Sequence, residues 1–453
     1  MNINDTLLDM GAGLPDDIRQ HQQFGNYTEA IRLIDLRLQQ NNLPNCLRNS
    51  LIAHRERFCR IPAQFPYTKE EALAILRKQI PGFTMEELND QIDLRNVRWI
   101  YVNGEMRIFQ RFDQTLFAVV DDIRSRLPQT QENVQRTDYA MGIMKEKGVM
   151  ANRIRVRQTI KLSDELFTPG MFLRAHLPLP AACQQQADIR IERIFPETAS
   201  IAPEDAPQRT VCWEVRPQEN PEFTVEYSYT HTARYQDVYN GKGQPGVYDF
   251  DLQEQYPHIV FTPFIRSLCK ELTEGLEDPL AKARAIYDFI TRNMRYTHVP
   301  DYFVMDSIAE SCARNYNGDC GVFALLFITL CRCAGIPARW QSGLVARPEE
   351  AGCHDWAQFY VEPYGWVFAD PSFGVSANRL GKEDRRQFVF GNLDPYRMVA
   401  NRAFQADFTI PKTQWRADPY DNQAGELESD SCGFQGSQLI RTQTTLSCQE
   451  ITD

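Results

Sequence analysis

The chain has no long run of Lys or Arg, no apolar run of membrane-spanning length, no internal repeat and no calcium loop of the EF-hand pattern, although it is 453 residues long. Each absence closes a class of function. With 60 acidic against 49 basic residues and a net charge of −11, the surface suits neither nucleic acid nor an anionic bilayer as main partner. The longest apolar stretch, from Val322 to Leu330, is far short of a bilayer span, so no transmembrane helix is expected. The first ten residues carry no basic region and no apolar segment of signal-peptide length, and we expect a cytoplasmic protein. Twelve cysteines, from Cys46 to Cys448, lack the dense spacing of a secreted scaffold, which fits reduced thiols.

What remains is the composition of an ordinary globular chain, 43% hydrophobic and 24% charged, long enough for two to four domains. Residues 1–130 read as mainly helical. Asn26 to Leu38 and Leu47 to Phe58 have helical spacing, Pro66-Tyr67-Thr68-Lys69 opens another helix, and Thr84 to Glu87 has capping-box spacing. Val97 to Val102 and Glu105 to Phe109 then flank Asn103-Gly104, a two-residue hairpin signal. Two helices and a hairpin suggest a winged-helix-like unit, but the acidic surroundings favour a docking module over DNA binding.

Residues 131–240 change period: Ile154, Val156, Ile160 and Leu162, then Phe223, Val225, Tyr227 and Tyr229, alternate with their neighbours, which predicts a β-sandwich. The Gly-rich stretch at 240–246 marks the next boundary. Residues 241–375 open with Asp278-Pro279 as a cap and first-turn pair, followed by a helical stripe at Leu280, Ala283, Ile286 and Ile290. Residues 376–453 read as a C-terminal extension of short strands and loops.

The chemistry concentrates between 317 and 371. Asn317-Gly318-Asp319-Cys320-Gly321 followed by an apolar run places Cys320 at the mouth of a buried helix, where free N–H groups and the dipole favour a thiolate. Asp319 is the expected cap. Trp356 to Val361, a type I turn over Glu362-Pro363-Tyr364-Gly365, and Trp366 to Ala369 predict a hairpin with His354 at the start of one strand and Asp370 at the end of the other. Nucleophile, base and orienting carboxylate are then Cys320, His354 and Asp370. Asp355 points opposite to His354 in an extended strand and is the poorer carboxylate.

Taken together, Gly-Asp-Cys-Gly, Gly335-Ile336-Pro337-Ala338-Arg339, His354-Asp355-Trp356, Gly365-Trp366 and Ala369-Asp370-Pro371 resemble, in that order, the transglutaminase-like superfamily, over about residues 260–375. The resemblance implies an α+β fold: a papain-like transglutaminase core preceded by a helical N-terminal domain and a β-sandwich domain. It implies a cysteine-dependent amide hydrolase, a protease or amidase of the bacterial type, acting on a peptide or protein through an acyl-thioester. Protein-glutamine transglutaminase, with an amine as acceptor, and a non-catalytic interaction protein are the alternatives.

The backbone N–H of Cys320 is one oxyanion donor, and Tyr296 or Tyr302 is the candidate for the second. No cofactor is expected. A zinc site from Cys320, His354 and Asp370 is the lesser reading, and Cys331 and Cys333, two apart on a helix, face different ways and belong to packing. Trp356 and Trp366 stand evenly between pocket and core, and Trp340 to Gly343 predict the strand after the cysteine helix, with Gly343 allowing a close approach.

Overall fold

The computed structural model describes residues 3–127, 134–348 and 350–451. The boundary expected at 130–131 lies outside the described residues. The fold is mixed helix and sheet, as read from the sequence, and the chain forms two compact units: Met1–Glu132 with Gln255–Val260 and Met294–Asp319, and Asn133–Glu254 with Phe261–Asn293 and Cys320–Asp453.

The first unit is built on helices whose signals are local. Tyr27–Leu38 buries Tyr27, Ala30 and Ile34, and Asn45–Gln64 extends beyond the expected 47–58 at both ends. Lys69–Gln79 and Met85–Asp93 each begin with a complete capping box, Thr68 with Glu71 and Thr84 with Glu87, which satisfies two otherwise orphaned N–H groups at each start. Trp99–Val102 and Glu105–Ile108 pair across Asn103 and Gly104, both at positive φ, as a type I′ turn requires. The returning segment pairs Arg295–Tyr296 in parallel with Asn317–Gly318.

In the second unit the alternating strands pair as their pattern demands. Ile154, Val156 and Ile160 stand opposite Tyr229, Tyr227 and Phe223, all fully buried. The last strand, Leu439–Ile451, lines the other edge of Val149–Leu162, so the C-terminal segment supplies a 13-residue strand to this sheet. A five-stranded sheet containing Leu173–Pro178 and Thr210–Val215 contributes to the same hydrophobic cluster.

The site-bearing sheet is antiparallel throughout, in the order Phe390–Gly391, Gly365–Ala369, Glu350–Val361, Ala338–Arg347, Arg397–Asn401. Its Leu344, Ala346, Met398 and Ala400 pack into the sandwich core beside Leu177 and Trp213, so sandwich and site-bearing sheet share one apolar interior. At Gly343 the strands Ala338–Arg347 and Arg397–Asn401 shift register, and an added Cβ would meet the carbonyl of Met398. The helix Cys320–Cys333 lies against the histidine strand, with Gly321 through Cys331 all buried and the Phe327 and Phe359 rings 5.6 Å apart. Each buried Val, Leu, Ile or Phe among them contributes roughly 1.5–3 kcal/mol, which fixes the helix axis and with it the position of Cys320.

Candidate functional site

Cys320 is the first residue of its helix and is partly exposed, while the ten residues after it in Gly321–Leu330 are buried. The apolar run anchors the helix and leaves the thiol at its open end. Asp319, read as the cap, accepts a hydrogen bond from the Tyr302 hydroxyl at 2.8 Å. Tyr302, a candidate oxyanion donor, is thereby a partner of the residue before the cysteine. The other candidate, Tyr296, lies edge-on to the His298 ring.

His354 and Asp370 are brought together by the hairpin. The register sets Ala357 opposite Ala369, so Asp370 falls one residue past its strand, and His354 Nε2 meets Asp370 Oδ2 at 2.8 Å. His354 is the fifth residue of Glu350–Val361 and not the first, because the strand starts earlier than its apolar pattern shows. The turn also differs from expectation. Tyr364 N donates to Val361 O at 2.9 Å and the peptide before Pro363 is cis, so the proline occupies the third position of a type VI turn.

Asp370 is fully buried and also caps the helix Pro371–Arg379, its Oδ1 accepting from Phe373 N at 2.9 Å. Burial works to raise its pKa, but His354 and the Arg397 guanidinium outweigh it and hold the carboxyl below its usual value. An ionised Asp370 accepts at Nε2, so the neutral imidazole carries its hydrogen there and keeps Nδ1 as the basic nitrogen.

Four residues around this pair, Arg397, Asp394, Phe373 and Gln423, had no signal in the sequence. Arg397 is fully buried, with Nη1 3.0 Å from Asp370 Oδ2, an electrostatic contact not aligned as a hydrogen bond, and Nη2 2.9 Å from Asp394 Oδ2. Its guanidinium carbon lies 4.3 Å from the centroid of Phe373, whose ring stands 4.7 Å from that of His354. Gln423 donates Nε2 to His354 O at 3.2 Å and also to Asp355 Oδ1.

Asp355 holds a larger place than the sequence reading allowed. Cys320 Sγ donates to Asp355 Oδ2 at 3.2 Å, so the carboxylate next to His354 in the strand is one that meets the thiol. An ionised carboxylate there opposes loss of the thiol proton. Trp356 is a core residue, buried with Leu393 and Val399, whereas Trp366 lies under the Arg339 guanidinium at 3.8 Å. Cys331 is buried and Cys333 partly exposed, and no group of three metal-ligating side chains occurs among the described residues. No helix among them is long and apolar enough to cross a membrane.

The sequence profile of the transglutaminase-like superfamily matches residues 266–371, which hold all three candidate residues. The uncharacterised protein YebA of Bacillus subtilis is 26% identical over 131 residues, 25% of this chain and 18% of YebA. The chain thus spans less than a fifth of the length of that curated relative. Among solved structures, a candidate cysteine protease from Cytophaga hutchinsonii is 17% identical with a TM-score of 0.44, covering 66% of this chain and 91% of its own. The periplasmic domain of TgpA from Pseudomonas aeruginosa, bound to ethylmercury, is 15% identical with a TM-score of 0.27, covering 54% of this chain and 96% of its own.

Proposed function

From the transglutaminase-like core that residues 266–371 form, we propose that the protein is a cysteine-dependent amide hydrolase acting on peptides or proteins, with Cys320 as nucleophile, His354 as base and Asp370 as the carboxylate that orients it. The observation that carries this reading is the buried 2.8 Å bond from His354 Nε2 to Asp370, which fixes the ring and leaves Nδ1 for proton transfer.

In this mechanism Nδ1 takes the thiol proton from Cys320, and the sulfur attacks the amide carbonyl carbon. The oxyanion is met by the N–H groups at the start of the helix Cys320–Cys333. The C–N bond breaks as His354 returns the proton to the leaving amine, and an acyl-thioester remains. Water, deprotonated by His354, attacks the thioester carbonyl, the C–S bond breaks, and the thiol is restored. Phe373 and Trp356, 4.7 and 6.2 Å from the imidazole by ring centroids, limit solvent around the ring. Hydrolysis differs from transamidation only in the acceptor.

The test is the pH profile of Cys320 alkylation by iodoacetamide, read by mass spectrometry in wild type and His354→Ala. A midpoint well below that of an ordinary thiol, lost in the variant, supports the ion pair. Equal, thiol-like profiles in both would point to a non-catalytic binding protein. Product analysis with a glutamine peptide and a primary amine separates water from amine as acceptor.

A further inference from the structure

The charges behind His354 do not balance. Asp370 and Asp394 are both fully buried, and one fully buried guanidinium, Arg397, lies between them, 3.0 and 2.9 Å from their Oδ2 atoms. Asp394 is held in place by Arg397 and by Tyr396 N, which donates to its Oδ1 at 3.1 Å. Two carboxylates against one cation leave a single buried negative charge. An imidazolium at His354 neutralises it. Without Asp394, Arg397 would instead cancel Asp370 and repel a charged ring on the same oxygen.

We propose that Asp394 and Arg397 form a positioning pair: Arg397 fixes the Asp370 carboxylate through Oδ2, and Asp394 supplies the charge that lets His354 become an imidazolium beside a Cys320 thiolate. The pair touches no reacting atom and acts through Asp370. It rests on the reading of Cys320, His354 and Asp370 given above.

The other groups facing the cluster do not upset this balance. Burial keeps Tyr287, on the helix Pro279–Asn293, far above its usual pKa, and drops His231, on Phe223–Arg234, to about 3, so both stay neutral. Burial likewise lifts Cys448 to about 11. Arg347 acts on Asp394 from the rim of the cluster: its Nε is buried and its guanidinium carbon lies 5.8 Å from the Phe373 centroid. It makes no ion pair with Asp394, its Nη2 donates to Thr137 Oγ1 at 3.2 Å, and the residue is partly open to solvent, which weakens its charge. Asp355 is engaged by Cys320 Sγ at 3.2 Å and by Gln423 Nε2.

The experiment measures the alkylation midpoint of Cys320 in the full chain for wild type, Asp394→Asn, Arg397→Gln and the double variant, with folding checked by circular dichroism. Asp394→Asn should raise the midpoint by about one unit or more. Arg397→Gln should not raise it, and the double variant, which restores one net negative charge, should return to within about 0.3 unit of wild type. A merely structural pair would shift all three variants the same way. An unchanged midpoint in Asp394→Asn, or a rise in the double variant, overturns the proposal. If Asp394→Asn does not fold, Arg397→Gln and the double variant decide by the same criteria. A wild-type midpoint that does not depend on His354 defeats the functional reading itself, and the two failures are distinguishable.

Discussion

Two clusters of buried charge lie in the second unit, and they differ in whether they close on themselves. In one, Glu426 spends Oε1 on Arg416 Nε at 2.8 Å and Oε2 on Lys412 Nζ at 3.1 Å and on Ala417 N at 3.0 Å, while Glu428 and Glu214 meet Arg174. Cations and carboxylates match at three each once the exposed Glu214 is counted, and the segment 412–428 is fastened to the strand Leu173–Pro178. In the other, Asp370 and Asp394 share one guanidinium and the remaining partner is a titratable ring. A closed cluster can only hold structure. An open one can also move a proton.

The sharpest way to break this contrast is to remove function from the open cluster without removing its shape. Asp370→Asn keeps an oxygen to cap Phe373 N but reverses the imidazole tautomer, so amide cleavage should fall by about 10³-fold or more with little change in melting temperature. Cys320→Ser should lose at least as much, again with the fold intact. Peptide cleavage assays beside thermal melts check both.

The closed cluster should answer the other way. Glu426→Gln leaves Lys412 and Arg416 buried without their carboxylate, and a loss of about 3–5 kcal/mol in urea denaturation is expected. The Cys320 alkylation midpoint should stay at the wild-type value.

Beside the closed cluster sits a carboxyl that it does not neutralise. Burial and the neighbouring Asp421 push Asp418 up to about 8, well above its unfolded value of about 3.9. The folded state therefore holds a proton that the unfolded state releases, and this group's contribution to stability falls as pH rises from about 4 towards 8. Asp418→Asn, which keeps an acceptor for Tyr420 N, should stabilise the protein by about 1–3 kcal/mol at pH 8 and change little near pH 4. Melting temperatures at the two pH values give the sign directly.

The smallest effect sharpens the open cluster. If Asp355 opposes thiolate formation across its 3.2 Å contact with Cys320, Asp355→Asn should lower the alkylation midpoint by about half to one unit. A rise would mean that Asp355 instead holds the thiol in its reactive position.

The sequence by itself determined whatever has a short period or a local motif. Capping boxes at Thr68 and Thr84, the Asn103-Gly104 hairpin, the inward alternation of Ile154 to Leu162, and the placing of Cys320 before an apolar helix all follow from neighbours within a few residues. The meeting of His354 and Asp370 follows too, because one short hairpin sets their register.

Only the tertiary structure decided the rest. Arg397 and Asp394 lie some forty residues from His354 and reach its carboxylate through the edge strand Arg397–Asn401 and the loop before it; no periodicity marks them. Gln423 comes from a polar stretch that gave no pattern, and Asp355 was discounted because alternation says which face a side chain takes but not what packs there. Local sequence encodes direction and period. Partners for a buried charge are chosen by the low dielectric of the folded interior, which penalises any charge left alone and so draws its neighbours from wherever the chain returns.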